Sequence, residues 1–374
     1  MKIIENYNLK THNTFGFDVV AKKFVEYENE YELIEFLRQN SLAVDERNRN
    51  VEGQGWLHIG GGSNLLFLGD FDGTILHSAI KFIALPQKSG GSSPLSVTEQ
   101  SDAFSLSKCR SAGELDGIFV RVGAGVVWDD FVAEMVENGF GGVENLSLIP
   151  GEVGAAAVQN IGAYGIEIQN IIAKVEAIEV ATLQKRIFDV SECKYGYRES
   201  IFKTDLKGKF IITAVIFHLS KSPILKLDYG AIKEHLKNIQ TPNIQNVREA
   251  IIEIRQSKLP DTKILGNAGS FFKNPYCSKE HFEELQKKYP NIPLYPVVNS
   301  GEKEIVKLSA AWLIEQCGWK GKTLGGAAVY HLQPLVIVNK GNAKPQDVSN
   351  LSAEIQKSVK EKFDLELETE VNFI

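Results

Sequence analysis

The sequence has 374 residues, 43% of them hydrophobic and 24% charged, which supplies cores for two or three packed domains and excludes global disorder. Its formal net charge of -6 argues against wholesale coating of nucleic acid. The opening MKIIENYNLKTHNTFGF lacks the apolar core of a signal peptide and no long apolar run follows, so a cytoplasmic protein with no membrane and no nucleic-acid partner is expected.

Lys23 to Tyr27 reads as a strand, and Leu33, Ile34 and Leu37 place an apolar stripe on a helix after Asn29. Trp56 to Ile59 reads as a second strand that runs straight into a glycine triplet. Gly69 to Gly73 carries turn chemistry before a strand at Thr74 to Leu76. Pro86 to Gly117 is polar and glycine-rich, as expected of an insertion loop. Ile118 to Val122 resumes as a strand. Trp128, Phe131, Val132, Met135 and Val136 follow helical spacing, with Asp129 and Asp130 in the first turn and Gly139 as a stop. After a second glycine-rich run, Val175 to Thr182, Arg186 to Val190 and Phe210 to Leu219 read as a β-meander. A joint is expected near Lys221 to Leu225. Beyond it, Val247, Ile251 and Ile254 line a helix ended by Pro260. Leu308, Ala311 and Trp312 line another stopped by Gly318. Leu335 to Val338 is a buried strand, and Val348, Leu351, Ile355 and Val359 mark a helix opened by Pro345. Glu366 to Ile374 reads as a strand carrying alternating acids. The class is α+β.

Glycine is abundant, 32 residues against 12 prolines, and it clusters where chemistry is plausible. In Gly60-Gly61-Gly62-Ser63-Asn64, three glycines would let backbone N–H groups face a phosphate, with Ser63 and Asn64 adding side-chain hydrogen bonds. A tight turn explains the triplet equally well. Neither G-x-G-x-x-G opening a helix nor G-x-x-x-x-G-K-[ST] is present. Pro150 to Gly165 is nearly all small residues, punctuated by Gln159, Asn160 and Tyr164. Such a run can lie flat against a planar ring or a pyrophosphate, or it can serve a close helix–sheet contact. The two segments together favour a dinucleotide cofactor.

In Tyr195 to Phe202, Tyr197 could fix the guanidinium of Arg198, which suits a carboxylate or a developing enolate, although most arginines are solvated surface charges. Ser270 lies in Asn267 to Pro275 without a G-x-S-x-G elbow, so a hydrolytic nucleophile is disfavoured. A serine there could still protonate a strong base. The seven histidines form no H-E-x-x-H, and Cys109, Cys193, Cys277 and Cys317 lie far apart with no C-x-x-C, so no metal site and no disulfide framework are expected.

The chain resembles the UDP-N-acetylenolpyruvoylglucosamine reductases (UDP-N-acetylmuramate dehydrogenases), flavoenzymes of bacterial peptidoglycan precursor synthesis. The resemblance runs in order through GGGSNLLF, ENLSLIPGEVG, QNIGAYG, YGYRESIFK, KLPD, GNAGSFFKNP, AAWLIEQCGWKG, GGAAVYHLQPLVIVN and ETEVNFI, covering nearly the whole chain. It implies an FAD-binding domain of two α+β lobes (PCMH-type) and a C-terminal α+β substrate-binding domain. The lobes would span 1–80, joined by 364–374, and 81–220 with the insertion 86–117; the substrate domain would span 221–363. The run with Tyr229 looks like the longer-looped type, in which a tyrosine closes over the substrate.

By the same resemblance, FAD would be bound by Gly60, Gly61, Gly62, Ser63, Asn64, Leu65, Pro150, Gly151, Gly154, Gln159, Asn160, Gly162, Ala163 and Tyr164. Ser270 matches the proton donor, while Arg198 and Glu370 match the pair that steadies the enol. Tyr164, Tyr197, Tyr229, Lys258, Asn274 and Gln333 match contacts to UDP-N-acetylglucosamine enolpyruvate, and NADPH would donate the hydride. A monomer is expected. Two departures stand out: Asn372 occupies a position where many relatives carry arginine, and Ala155 to Ala157 replaces a more Gly/Ser/Pro-like segment. Another FAD oxidoreductase of the same domain group, or a catalytically silent nucleotide-sugar binder, are the competing readings.

Overall fold

A computed structural model describes residues 1–40, 55–85, 117–295 and 304–374; the insertion expected from Pro86 and Cys109 lie outside them. Contacts group the chain into two units. The first comprises Met1–Ile4, Phe24–Gly61 and Thr74–Ile254, the second Glu5–Lys23, Gly62–Gly73 and Arg255–Ile374. The joint expected near Lys221 to Leu225 lies inside the first unit. There, Leu225 and Leu227 pack on a cluster of Ile232, Leu236, Val247, Ala250, Ile251 and Ile254.

In the first unit, Trp56–Ile59 pairs in parallel with the following strand, from Trp56 against Thr74 to Ile59 against His77. That strand begins at Phe71, so the turn foreseen over Gly69 to Gly73 is shorter than expected. The helix Glu30–Gln39 starts where the Asn29 side chain accepts from the Glu32 amide, and it buries Leu33, Phe36 and Leu37 among Val25, Tyr27 and Leu76. Each of these side chains stabilises the unit by about 1.5–3 kcal/mol.

A five-stranded antiparallel sheet runs in the order Lys185–Asp189, Ile172–Glu179, Phe210–Ser220, Gly117–Gly123 and Ile83–Ala84. The expected meander is therefore corrected, because Ile172–Glu179 sits between its two partners. The chain leaves the sheet edge after Asp189 and returns at Phe210 on the far side of that central strand. The excursion carries Tyr195 to Phe202. Packing chose this order: Phe210–Ser220 is buried along most of its length, which suits an interior strand and not an edge. The helix Trp128–Glu137 lays Trp128, Phe131, Val132, Met135 and Val136 on this sheet, with the Trp128 indole donating to the Leu146 carbonyl at 2.9 Å. Burial pushes the Glu176 carboxyl up, but the bidentate Arg121 (2.8 Å twice) and Lys185 (2.8 Å) outweigh it and hold the carboxyl below its ordinary value.

The small-residue run holds a short helix, Val153–Gln159, the second of the two readings open for it. A Cβ on Gly154 would come within 2.9 Å of the Ala124 Cβ, so the helix-on-sheet explanation of these small residues holds at that position.

In the second unit, Asn267–Ser270, Val336–Asn339, Ala327–Val329 and Thr323–Leu324 form a sheet in that order, and the helix Pro345–Phe363 buries Val348, Leu351, Ile355, Val359 and Phe363. Leu308 closes the strand Ile305–Leu308 rather than opening a helix, because the Ser309 hydroxyl caps Ala310–Gln316. The C-terminal segment alternates as expected, with Leu365 and Leu367 buried and Glu366 and Glu368 exposed. It is not one continuous strand. Thr369 makes a single bridge to Phe272, and only Asn372–Phe373 pairs further, in parallel with Leu65–Leu66.

Candidate active site

The strand Trp56–Ile59 delivers Gly60 and Gly61 onto the start of the helix Val153–Gln159. A Cβ on Gly60 would lie 3.0 Å from the Ala155 Cβ and 3.3 Å from a Glu152 carboxylate oxygen. At Gly61 the nearest atoms are the other Glu152 oxygen and the Gly151 Cα, both at 3.8 Å. The two glycine-rich segments therefore adjoin, and Gly61 is a glycine that packing does not require. A backbone left bare without a packing reason fits the close approach of a phosphate group. Beneath it, Glu152 is buried and meets His77 Nε2 at 3.0 Å, while His77 Nδ1 meets Glu26 at 3.0 Å. Burial pushes the imidazole pKa down, but the hydrogen bonds and charges of Glu152 and Glu26 outweigh it, so it stands raised.

The lead into this segment is held by a pair the sequence reading missed. Leu148 takes a left-handed φ of +58°, and its amide donates to Asp129 at 2.5 Å. Arg248 grips both oxygens of Asp129 at 2.7 and 3.0 Å. Asp129 read only as a favourable first-turn acid, since nothing local points to a residue 119 positions away. Pro150 is exposed, and Gly151 accepts from the Trp128 amide at 3.0 Å.

Past the helix, Gln159 is half-buried and Asn160 is fully buried. Both Asn160 amide hydrogens are used within the protein, on Glu167 (3.1 Å) and the Gly196 carbonyl (2.7 Å). Gly162 and Ala163 pair with Ile166 and Glu167 around a turn that holds Tyr164 at φ +48°. The Tyr164 carbonyl accepts from Asn145 at 3.0 Å, and its ring meets Tyr229 edge-on at 5.6 Å. Asn145 also donates to the Lys226 carbonyl at 3.0 Å, tying the two tyrosine segments together. Arg198 and Tyr197 form the tip of a two-residue turn. The guanidinium lies over the Tyr197 ring at 5.2 Å and donates to the Gly162 carbonyl at 2.7 Å.

In the second unit, Gly62 is demanded by the fold: its φ is +67° and a Cβ would lie 1.8 Å from the His12 carbonyl oxygen. Ser63 follows, and Asn64 then crosses to the chain end. Its amide donates to the Glu370 carbonyl at 3.0 Å, and its own carbonyl accepts from the Asn372 backbone at 3.1 Å and side chain at 3.3 Å. Asn372 thus braces the loop that carries Leu65. The Glu370 amide donates to the Phe271 carbonyl at 2.8 Å, next to Ser270.

Ser270 is exposed between Gly269, at φ +68°, and the buried Phe271. The irregularity that aims it outward is set by Asn267, whose carbonyl takes the Gly269 amide at 2.9 Å while its amide donates to Leu265 at 2.8 Å. Asn274 accepts from the Ala310 amide at 2.9 Å, Gln333 accepts from Leu335 at 3.4 Å, and Lys258 is exposed at the end of its helix. Ser270, Glu370, Asn64 and Asn274 thus belong to the second unit, whereas Arg198, Tyr164 and Tyr229 belong to the first.

A family model described as UDP-N-acetylenolpyruvoylglucosamine reductase, C-terminal domain, matches residues 260–374, and one described as FAD binding domain matches residues 79–190. The UDP-N-acetylenolpyruvoylglucosamine reductase of Bacteroides fragilis is 46% identical over 99% of both chains, and that of Flavobacterium johnsoniae 42% identical over 100% of both. Among solved structures, the reductase of that name from Thermus caldophilus aligns with 100% of this chain and 98% of its own, at TM-score 0.60 and 22% identity, a likeness of fold. No helix among the described residues is long and apolar enough to cross a membrane.

Proposed function

The chain belongs to the UDP-N-acetylenolpyruvoylglucosamine reductase family, an FAD-dependent group of oxidoreductases, and we propose that it reduces UDP-N-acetylglucosamine enolpyruvate to UDP-N-acetylmuramate at the expense of NADPH, in the cytoplasm, as a step of peptidoglycan precursor synthesis. The bare backbone at Gly61, beside Gly151, fits a bound FAD, which supplies the hydride once reduced. The observation that carries the reading is the junction of Asn64, Glu370 and the residue after Ser270, three segments brought side by side from both ends of the chain.

Hydride addition to the terminal carbon of the enolpyruvyl group leaves negative charge on the α-carbon, delocalised into the carboxylate. Arg198 is the cation for that charge, and Glu370 is the second member of the pair that steadies the enol. A hydroxyl is a weak acid, yet the α-carbon at this stage is basic enough to take the Ser270 proton, which completes saturation of the double bond. Tyr164, Tyr197, Tyr229, Asn274 and Gln333 would orient the substrate, and the exposed Lys258 would meet its phosphates.

Ser270→Ala tests the reading in two half-reactions. Bleaching of bound flavin by NADPH should persist, while its return on adding the enolpyruvyl substrate should slow by about 100-fold or more. Equal loss in both halves would remove the proton-donor role.

A further inference from the structure

Asn160 closes the helix Val153–Gln159 in a left-handed conformation, φ +48°, and is 0% exposed. Three bonds leave its side chain a single orientation. The carbonyl accepts from the Gln169 amide at 3.2 Å, and the amide donates to Glu167 at 3.1 Å and to the Gly196 carbonyl at 2.7 Å. Glu167 is itself held, taking the Gln169 side chain at 2.6 Å.

Gly196 is the base of the turn that carries Arg198. It exchanges backbone hydrogen bonds with Glu199 at 3.0 and 3.1 Å, with Tyr197 and Arg198 between them and Arg198 at φ +59°. Two residues beyond Asn160, the Gly162 carbonyl takes the guanidinium itself at 2.7 Å. A Cβ on Gly162 would lie 2.9 Å from the Glu167 side chain, 3.0 Å from the Ile166 carbonyl and 3.1 Å from the other terminal nitrogen of Arg198. One short stretch therefore grips the turn at its base and at its tip. The left-handed backbone of Arg198 is uncommon for a non-glycine residue and persists where the surroundings impose it.

We propose that Asn160 is a positioning residue for Arg198, fixing the turn that aims the guanidinium, and not a ligand of the cofactor. This rests on the reading of Arg198 as the cation that stabilises the enol. Only asparagine combines tolerance of the left-handed cap with two donors and an acceptor on a side chain short enough to reach Gly196.

Asn160→Gly removes the amide and keeps the backbone conformation free of strain. In the FAD-loaded enzyme, the flavin spectrum, FAD affinity and the rate of bleaching by NADPH should stay within about twofold of wild type, while reoxidation by the enolpyruvyl substrate should slow by about tenfold or more. Arg198→Ala should slow the same step further, and the double variant should be no slower than Arg198→Ala alone, because the amide acts through the arginine. Asn160→Asp, which tolerates the left-handed backbone and keeps the acceptor but loses both donors, should show the same selective loss and serves if Asn160→Gly does not fold. Weakened FAD binding, equal loss in both half-reactions, or additive losses in the double variant would overturn the proposal. If Arg198→Ala left reoxidation intact, the reading of Arg198 itself would fall, and with it the role given to Asn160.

Discussion

Alanine at Gly61 and at Gly62 should have opposite consequences, although the two glycines are neighbours. At Gly62, an L-residue held at φ +67° costs roughly 1–2 kcal/mol. Its Cβ would lie 1.8 Å from the His12 carbonyl oxygen and 2.4 Å from the carbonyl carbon, and main chain cannot rotate away as a side chain can. Displacing it adds about 1–3 kcal/mol. Gly62→Ala should therefore lose roughly 2–5 kcal/mol, which lowers the unfolding midpoint of a 374-residue chain by about 2.5–6 °C. At Gly61 the added methyl meets its nearest neighbours at 3.8 Å, an ordinary contact, so stability should change by less than about 0.5 kcal/mol. If the bare backbone at Gly61 meets FAD as proposed, the methyl would stand in its way, and FAD should bind about tenfold more weakly or worse, a difference of roughly 1.4 kcal/mol. The assay pairs thermal unfolding of flavin-free protein with FAD titration followed by tryptophan fluorescence. Wild-type FAD affinity in Gly61→Ala would refute the phosphate cradle, and a wild-type midpoint in Gly62→Ala would refute the packing argument.

Two further outcomes follow from the buried His77 and the half-buried Asn64. His77 has a folded pKa raised above its ordinary value near 6.5, so the stability it contributes is complete below about pH 6.5 and is lost as pH rises through the folded pKa. Urea midpoints of wild type should thus fall more steeply as pH rises above about 6.5 than those of His77→Gln; parallel profiles would rule out this linkage. Asn64→Ala deletes the bond that holds the Glu370 carbonyl and should cost about 1–3 kcal/mol. Faster hydrogen exchange at the amides of Asn372 and Ile374, which bond to Asn64 and Leu66, would show it, and unchanged protection there would count against the brace.

Much of the local structure was legible in the residues because it is set by near neighbours. The Asn29 cap, the stripe of Trp128, Phe131, Val132, Met135 and Val136, and the helix opened by Pro345 depend on spacings of three and four residues, and each stands where the pattern put it. Several strands were legible for the same reason, but their order was not: pattern tells that Phe210–Ser220 is apolar along most of its length, not that Ile172–Glu179 lies between it and Lys185–Asp189. The run from Val153 to Gln159 stayed open in the sequence because small residues suit both a bare loop and a tightly packed helix, and only the distance to Ala124 decides. Residue types in motif context were enough to mark Ser270, Arg198 and Glu370, through a resemblance that full-length relatives bear out at the level of the family. What each neighbour does was decided by tertiary structure: that Gly62 serves the fold while Gly61 is bare, that Asn160 turns away toward Gly196, and that Asn64 reaches a carbonyl 306 residues distant. Contacts of that span have no local signature, since they exist only once the chain has folded and delivered both partners to one place.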